Sequence, residues 1–200
     1  MANKTLCPIC RQPATQKFGL KLFCGYLHAA EWGQMQAKKN KLKKQKEQRS
    51  KDKARLEEIK KPSEHASEAQ ELFNKMRRLE ELLWYKQKGL EPICISCQKP
   101  LGGDVWACGH NKTRGARKDL AFERLNTHLQ HNFGCNSQKS GDIEGQRIGY
   151  ALRYGKEEAE RILADLEIRR EVPKRTPDEW NAMKKEYRAE IRQLQKLLDA

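Results

Sequence analysis

Two sets of cysteine and histidine residues in this sequence have the paired spacing of zinc ligands. The first set is Cys7-x2-Cys10 followed by Cys24-x3-His28. Zinc takes four ligands in a tetrahedron, and a short loop lets two sulfur atoms face one ion. Because the protein would fill all four positions, we predict a structural zinc site in an N-terminal zinc finger, residues 1–32.

A second pair, Cys94-x2-Cys97, lies between two prolines near the middle of the chain. The spacing of His131-x3-Cys135 mirrors that of the first set, so we predict that Cys94, Cys97, His131 and Cys135 bind a second structural zinc. The alternatives to His131 as a ligand are His128 and Cys108. If Cys108 does not bind the metal, we expect it to be a buried free thiol.

Four polar residues of the same region are left over by this assignment: His110, Asn126, His128 and Asn136. A nuclease needs a base that takes a proton from water and a divalent cation that stabilises the phosphate. His110 is a candidate base, since neutral imidazole titrates near working pH. Asn136 follows a zinc cysteine and offers an amide oxygen to a hard cation, while Asn126 could bond the far ring nitrogen of His110. Alternatively, these are turn and capping residues.

The chain that must position these residues has little apolar material. Of its 200 residues, 37% are hydrophobic and 34% are charged, and the mean hydropathy is -0.97. Such a chain cannot bury a large apolar core, so its folded parts need the support of metal sites. We therefore predict a mainly α protein in which a small zinc-bound centre and an N-terminal zinc finger are joined to long helices.

Residues 33–89 form a Lys-rich region between the two metal sites. Its first part has no Gly or Pro from residue 34 to residue 61, which predicts a solvated helix or a charged, partly ordered linker. A helix from about Ser67 to Lys88 follows, stopped by Gly89 and Pro92. Its apolar stripe consists of Leu72, Met76, Leu79 and Leu83.

Residues 90–145 contain the second zinc set, and residues 146–200 are predicted to form two C-terminal helices. The first begins after Gly155, and the second begins at the capping box Thr176-Pro177-Asp178-Glu179. The second helix has a long apolar face, formed by Trp180, Met183, Tyr187, Ile191, Leu194 and Leu198. This face could pack on the domain or pair with a second copy of the chain.

The charge balance predicts a polyanionic partner. The formal net charge is +14, from 41 Lys and Arg against 27 Asp and Glu, and each cation docked on a phosphate releases counterions. The residues that we expect to contact phosphates are Lys112, Arg114, Arg117, Lys118 and Lys139. No apolar run has the length of a membrane span and no secretory signal begins the sequence, so we expect a cytoplasmic protein with no membrane partner and no small-molecule cofactor.

The sequence also resembles a known family. The residues that carry the resemblance are Cys94-Ile95-Ser96-Cys97, Trp106, Gly109-His110, Leu120-Ala121-Phe122, Asn126-x-His128, Cys135-Asn136-x-x-Lys139-Ser140-Gly141, Trp180 and Lys185-Glu186-Tyr187. This pattern resembles the NinG (Rap) family, the recombination proteins of lambdoid phages. The resemblance implies a structure-specific DNA endonuclease that acts on branched recombination intermediates, such as Holliday junctions and D-loops, in the bacterial host cell.

The central block is also similar to the His-Me finger (HNH, ββα-metal) nucleases, which implies a small zinc-bound ββα centre of treble-clef or His-Me finger type. In that pattern His110 matches the general base, Asn126 matches the residue that orients it, and Asn136 matches a ligand of the catalytic metal. The chain departs from the pattern because no Asp lies next to His110. Asp104 is the nearest upstream carboxylate, or His128 fills this role.

We therefore predict phosphodiester hydrolysis dependent on Mg²⁺ or Mn²⁺, supported by two structural Zn²⁺ ions. A resolvase cuts two strands symmetrically, so a two-fold homodimer is the natural assembly. The alternative is a non-catalytic zinc-finger module that binds DNA or recruits recombination partners, which the missing Asp beside His110 favours. An RNA-binding adaptor is less well supported, because only 7% of the residues are aromatic.

Overall fold

Helices dominate the part of the chain that the computed structural model describes, residues 6–200. The prediction of a mainly α protein is confirmed, and two small two-stranded sheets accompany the helices. The chain divides into two units, of which the first ends at Lys60 and the second spans Lys61–Ala200. Among residues 6–200, none of the helices combines the length and the apolar character that crossing a bilayer requires.

The first unit contains a short hairpin and a long helix. Strands β1 (Gln16–Phe18) and β2 (Lys21–Phe23) pair in antiparallel fashion. Gly19 in the turn between them has φ 60°, a conformation that glycine adopts without strain. Helix α1 (Tyr26–Glu58) then includes the Lys-rich run, which is helical and not a partly ordered linker. All of α1 is described, and none of its residues is buried.

The second unit is built on two long helices that pack against each other. Helix α2 (Pro62–Lys88) begins with Pro62 in its first turn, five residues before the predicted start, and ends at Gly89. Helix α5 (Pro177–Asp199) begins at the predicted capping box, since Thr176 Oγ1 accepts from the Glu179 amide at 3.3 Å. Glu179 Oε2 in turn accepts from the Thr176 amide at 2.7 Å.

The apolar face of α5 packs on α2 of the same chain. Phe73 and Met76 of α2 are buried together with Ile191 of α5. Partly buried side chains complete this cluster: Leu72, Leu79, Phe122, Tyr187 and Leu194. Of the two possibilities that the sequence left open for this face, the structure therefore shows packing within the chain.

The central hairpin, formed by β3 (Trp106–His110) and β4 (Thr127–His131), comes between these helices in the sequence and contacts α2. Its antiparallel register places Trp106 opposite His131 and His110 opposite Thr127. Two short 3₁₀ turns precede β4, and a π-helical turn (Asn132–Ser137) follows it. The centre that contains the second predicted zinc set is thus a hairpin followed by a tight turn.

Two further helices, α3 (Ile143–Tyr154) and α4 (Lys156–Glu167), follow the turn. The sequence predicted α4 but not α3, because Gly145 and Gly149 resemble helix breakers. Asp142 caps α3 by accepting from the Gly145 amide at 3.4 Å. The core of this part contains Ile95, Leu120, Tyr150, Ala159, Ile162 and Leu166.

A buried ion cluster fixes α2 against the hairpin and α3. Arg77 of α2 donates to the Thr127 carbonyl at 2.8 Å and to Glu81 at 3.1 Å, while Arg153 of α3 donates to the same Glu81 oxygen at 3.0 Å. The Arg153 guanidinium also lies 3.9 Å from the centre of the Trp84 ring. The hairpin is thereby held between α2 and α3.

Candidate metal clusters and central pocket

The structure brings together the four residues of the first zinc set, called here the first metal cluster. The ligand atoms of Cys7, Cys10, Cys24 and His28 all lie within 4.8 Å of one another. The Cys10 and Cys24 sulfurs are 3.4 Å apart, and Cys7 Sγ is 3.9 Å from His28 Nδ1. A tetrahedron with zinc bonds of about 2.0–2.3 Å has edges of about 3.3–3.8 Å. Cys24 Sγ lies closer to His28 Nδ1, at 2.8 Å. The donor types and their clustering around one centre fit zinc.

The hairpin and the start of α1 position these ligands. Cys7 and Cys10 lie in a turn that is closed by the Cys7 amide donating to Gln12 O at 2.8 Å. Although burial opposes ionisation of Cys7, hydrogen bonds from the backbone of Cys10, Cys24 and Ile9 lower its pKa to about 6. The thiolate is the form that binds metals, so the turn favours the ligating state.

The second metal cluster consists of Cys94, Cys97, His131 and Cys135, whose ligand atoms also lie within 4.8 Å of one another. Cys97 Sγ is 3.5 Å from His131 Nδ1. His131 Nε2 lies 2.9 Å from the Pro100 carbonyl. Donation to that carbonyl leaves the lone pair on Nδ1, the nitrogen that faces the thiols.

Crowding of the sulfurs in the second metal cluster also favours a cation. Burial, followed by the nearby thiols of Cys94 and Cys97, raises the pKa of Cys135 to about 12. Closely spaced thiolates repel one another, and a divalent cation among them relieves this repulsion. The chemistry of the donors therefore fits Zn²⁺ at this cluster as well.

The two alternative ligands lie outside the second metal cluster. Cys108 is buried on β3, and burial raises the pKa of its thiol to about 11. His128 is buried on β4, with Nε2 2.7 Å from the Tyr154 hydroxyl and its ring 4.6 Å from that of Tyr150. Cys108 is thus a buried thiol, and His128 belongs to an aromatic cluster.

Next to the second metal cluster is an open pocket of about 700 Å³, called here the central pocket. Two residues of the predicted catalytic set, His110 and Asn136, line it together. His110 is the last residue of β3, and Asn136 follows the metal ligand Cys135 in the π-helical turn. Two guanidinium groups, those of Arg78 and Arg114, give the pocket a positive lining.

Burial and a nearby cation, not the hydrogen-bonding contacts of its ring, favour the neutral form of His110. Its Nδ1 is 3.2 Å from the Cys108 carbonyl, and its Nε2 is 3.3 Å from the Ala121 carbonyl. Burial, together with the positive charge of Arg114, outweighs these carbonyls and lowers the pKa of His110. A neutral imidazole has one N–H to donate and one lone pair, so His110 can accept a proton.

Asn126 is not a hydrogen-bond partner of His110. Its Oδ1 accepts from the Lys112 amide at 2.7 Å, and its Nδ2 donates to the carbonyls of Lys112 and Leu120 at 3.1 Å each. The group at Nε2 is instead the Ala121 carbonyl, which also accepts from Gln70 Nε2 at 2.9 Å. Asn126 therefore holds the segment before Ala121 and not the ring itself.

Asp104, the nearest upstream carboxylate, does not line the central pocket. Its oxygens accept from the amides of Phe133 at 3.0 Å and Gly134 at 3.1 Å. Although burial opposes its ionisation, hydrogen bonds from Gly134, Val105 and Phe133 lower the pKa of Asp104. This carboxylate therefore fixes the π-helical turn.

Of the basic residues predicted to contact phosphates, Arg114 lines the pocket, and Lys118 and Lys139 are exposed. Lys112 forms an ion pair with Glu167. Arg117 differs from the others, since it is buried and its guanidinium donates to Asp119, Leu166 O and Ile168 O, each at 2.7 Å. Arg117 is therefore a structural residue, because it joins the segment around Asp119 to the end of α4.

The polar residues of the central pocket that sequence reasoning missed include Asn74, Arg78 and Asn132. Asn74 and Arg78 are four residues apart on α2 and so share a helix face, which is a weak signal without the fold. Asn132 directly follows a predicted zinc ligand, as Asn136 does. Its position directly after a predicted ligand was the sequence signal that could have identified Asn132.

The chain is similar to known phage proteins. The family model described as Bacteriophage Lambda NinG protein matches residues 1–197. Protein ninG of Escherichia phage lambda is 32% identical over 101 residues, which are 50% of this chain and 47% of that protein. Protein ninG of Salmonella phage P22 is 33% identical over the same shares. The matches thus span about half the length of these curated relatives. No solved structure matches the chain.

Proposed function

Because this chain belongs to the NinG family, we propose that it is a structure-specific endonuclease that cuts branched DNA, such as Holliday junctions and D-loops, in phage recombination. The observation that carries the proposal is the central pocket, where His110 and Asn136 lie beside the cations of Arg78 and Arg114. A phosphodiester bears the negative charge that this lining would attract.

His110 is the proposed general base. Its lowered pKa keeps the imidazole neutral at the pH of the cell, so that it can take the proton from an attacking water. The Ala121 carbonyl would accept from the Nε2 N–H and fix the ring orientation. The proton acceptor would then be Nδ1, which lies 3.2 Å from the Cys108 carbonyl. Gln70 and Asn126 hold the backbone around the Ala121 carbonyl and support it indirectly.

Asn136 is the proposed ligand of the catalytic cation, because its amide oxygen is the type of donor that Mg²⁺ and Mn²⁺ accept. Such a cation, when bound, would stabilise the developing charge on the phosphate and on the leaving oxygen. Asn136 follows Cys135 directly, so the second metal cluster would limit the movement of its backbone. The order of hairpin, turn and helix α3 is consistent with the ββα arrangement implied by the resemblance to His-Me finger nucleases.

The basic surface around the pocket supplies the affinity for DNA in this proposal. Lys118 and Lys139 are exposed, and Arg114 lies in the pocket itself. Contacts with phosphates fix the position of a nuclease without reading the sequence. Arg117 is left out of this surface because it is buried, and His128 is left out of the catalytic set because it packs among tyrosines.

The decisive experiment is cleavage of a synthetic four-way junction in Mg²⁺ by the zinc-loaded protein. We expect the native protein to cut the junction and His110→Ala to cut it at least about 100-fold more slowly. Arg161→Gln, at an exposed site on α4, is the matched control and should cut at the native rate. Equal cutting by the native protein and His110→Ala would remove His110 as the base.

A second candidate is a DNA-binding module without catalysis. The observation that favours it is that, among the described residues, no Asp or Glu lines the central pocket. Carboxylates are common ligands of catalytic Mg²⁺. If the native protein binds the junction but releases no product in Mg²⁺ or Mn²⁺, the binding module is the correct function.

A further inference from the structure

Phe133 is an exposed aromatic residue between two ligands of the second metal cluster. It lies two residues after His131 and two before Cys135, and 64% of its surface is accessible. Isolated apolar residues are common on protein surfaces and need no partner. Phe133 differs from such residues in two ways: its backbone is firmly held, and its turn adjoins the central pocket.

The backbone at Phe133 is restrained by several contacts. Its amide donates to Asp104 Oδ2 at 3.0 Å, and its carbonyl accepts from the Gln138 amide at 3.0 Å. The preceding residue, Asn132, donates to the Val105 carbonyl at 3.0 Å. Both ends of the segment are ligands of the second metal cluster. The ring therefore projects from a turn that has little backbone freedom left to lose on binding.

This turn adjoins the central pocket. Asn132 and Asn136, on either side of Phe133 in the chain, both line the pocket. Val105 also lines it and is 61% exposed, so apolar and cationic groups occur side by side. A ligand that fits both has a flat apolar face and a negative charge. A nucleotide base with its phosphate has this combination.

We infer that Phe133 is a stacking platform for a base exposed at the branch point of DNA. The inference rests on the proposed DNA substrate and adds a residue that distinguishes branched from linear DNA. In a linear duplex, each interior base is covered on both faces by its neighbours. At a branch point the stack is interrupted, so a base face becomes available to an aromatic side chain.

The test measures binding without added Mg²⁺, so that it does not depend on cleavage. The probe is a four-way junction with 2-aminopurine at the branch point, compared with a linear duplex of the same sequence. We expect the native protein to change the 2-aminopurine fluorescence and to bind the junction more tightly than the duplex. Phe133→Ala should lose the fluorescence change and about tenfold in junction affinity, with duplex affinity unchanged.

Two variants serve as controls. Phe133→Trp keeps an aromatic ring and should retain the junction preference. Leu152→Ala removes another exposed apolar side chain, on α3 (69% accessible), and should bind both DNAs as the native protein does. Zinc content and thermal midpoint establish that each variant is folded.

The inference is overturned if folded Phe133→Ala keeps the native junction affinity, or if it loses junction and duplex binding equally. The inference is also overturned if Phe133→Ala differs from the native protein in oligomeric mass but binds the junction equally well. The Phe133 ring would then serve a contact between protein chains. The proposed nuclease is tested separately. If the native protein shows the Phe133-dependent preference but never cuts, the proposed catalysis fails and the stacking role stands.

Discussion

Gly149 of α3 lies directly against the carbonyl oxygen of Ile95, in the turn between the two cysteines of the second metal cluster. A Cβ atom at position 149 would overlap this oxygen, and one at position 145 would lie 2.7 Å from the Ser96 carbonyl. The two glycines therefore form the face on which α3 meets the Cys94–Cys97 turn. The helix supports the metal cluster by close contact between backbones.

Replacing Gly149 with alanine should destabilise the protein. The added methyl group meets backbone that cannot rotate away, so either α3 or the turn must shift. We expect Gly149→Ala to lower the free energy of unfolding by about 1–3 kcal/mol or more, measured by urea denaturation in excess zinc. In Gly103→Ala the new Cβ meets nothing within 4 Å, so its stability should stay within about 0.5 kcal/mol of native. Equal stability of the two variants would contradict the observed contact.

The two metal clusters predict two zinc ions per chain. Cys97→Ser removes one ligand of the second metal cluster and should reduce the zinc content to one ion per chain. Because zinc binding in small sites is coupled to folding, this variant should also lose the cooperative thermal transition of the second unit. Cys108→Ala is the matched control, since Cys108 lies outside both clusters, and it should retain two ions. The zinc content of each variant is measured by mass spectrometry under non-denaturing conditions.

In a plot of cleavage rate against pH, the acid limb, where the rate falls as the pH is lowered, should report on His110. Burial and the charge of Arg114 lower the pKa of His110. The base therefore stays unprotonated at a lower pH than an ordinary histidine, whose pKa is about 6.5. The rate should therefore fall only below that value. Arg114→Gln removes a cation that opposes protonation, and the limb should move to higher pH.

This shift is measured from single-turnover rates between about pH 5.5 and 8. Arg161→Gln removes a cation far from the pocket in the chain and should leave the limb in place. If the limb does not move in Arg114→Gln, another group controls the rate.

Arg117 should contribute to stability and not to DNA affinity. It is buried against Asp119 and three backbone carbonyls at the end of α4, and its guanidinium lowers the pKa of the Asp119 carboxyl. Removing one partner of a buried ion pair leaves the other uncompensated. We expect Arg117→Gln to lower the thermal midpoint by about 5–10 °C.

The neighbouring substitution Lys118→Gln gives the comparison, because this side chain is exposed. It should leave the thermal midpoint unchanged and weaken DNA binding. The stabilisation from Asp119 has a defined pH range. A carboxyl whose pKa is lowered in the folded state stabilises above its unfolded pKa of about 3.9, and this contribution is lost as the pH falls through its folded pKa. Arg117→Gln should therefore differ most from native at neutral pH.

The Lys-rich helix α1 should contribute to the salt dependence of DNA binding. A plot of log K against log salt loses about 0.9 in slope for each phosphate contact removed. Replacing the exposed Lys39, Lys41, Lys44 and Lys46 with Gln should therefore reduce the slope by up to about 3–4. Titrations of a labelled junction at several salt concentrations measure it. The matched control removes four exposed cations of α5: Lys185, Arg188, Arg192 and Lys196. An equal loss of slope in both variants would mean that the net charge alone matters.

The paired spacing of the ligands was sufficient to predict both metal clusters, because a tetrahedral ion restricts which residues can meet. The C-terminal end of α2 and the start of α5 could also be predicted, because Gly89 and the Thr176 capping box act locally. Local signals of this kind survive folding because they depend on nearby residues only.

Tertiary contacts explain what sequence reasoning missed. Helix α3 was missed because Gly145 and Gly149 lower helix propensity, yet each lies where the turn of the second metal cluster leaves no room for a side chain. Arg117 was predicted to face DNA, but carbonyls from α4 bury it. Asn126 was expected at His110 and instead bonds the backbone of Lys112 and Leu120. Most of these partners are distant in the sequence, and none is signalled by spacing.

Helix α1 has no buried residue. Its start is held by the ligand His28 and by Trp32, which packs on Phe23, so the order of the Lys-rich remainder depends on interactions along its own length. Lysines three and four positions apart repel one another, which weakens an isolated helix in dilute buffer. Dissolved salt should therefore strengthen the helix while it weakens attachment to DNA. Phosphates of a bound duplex would take the place of dissolved counterions along α1, so that docking and helix stabilisation would occur together.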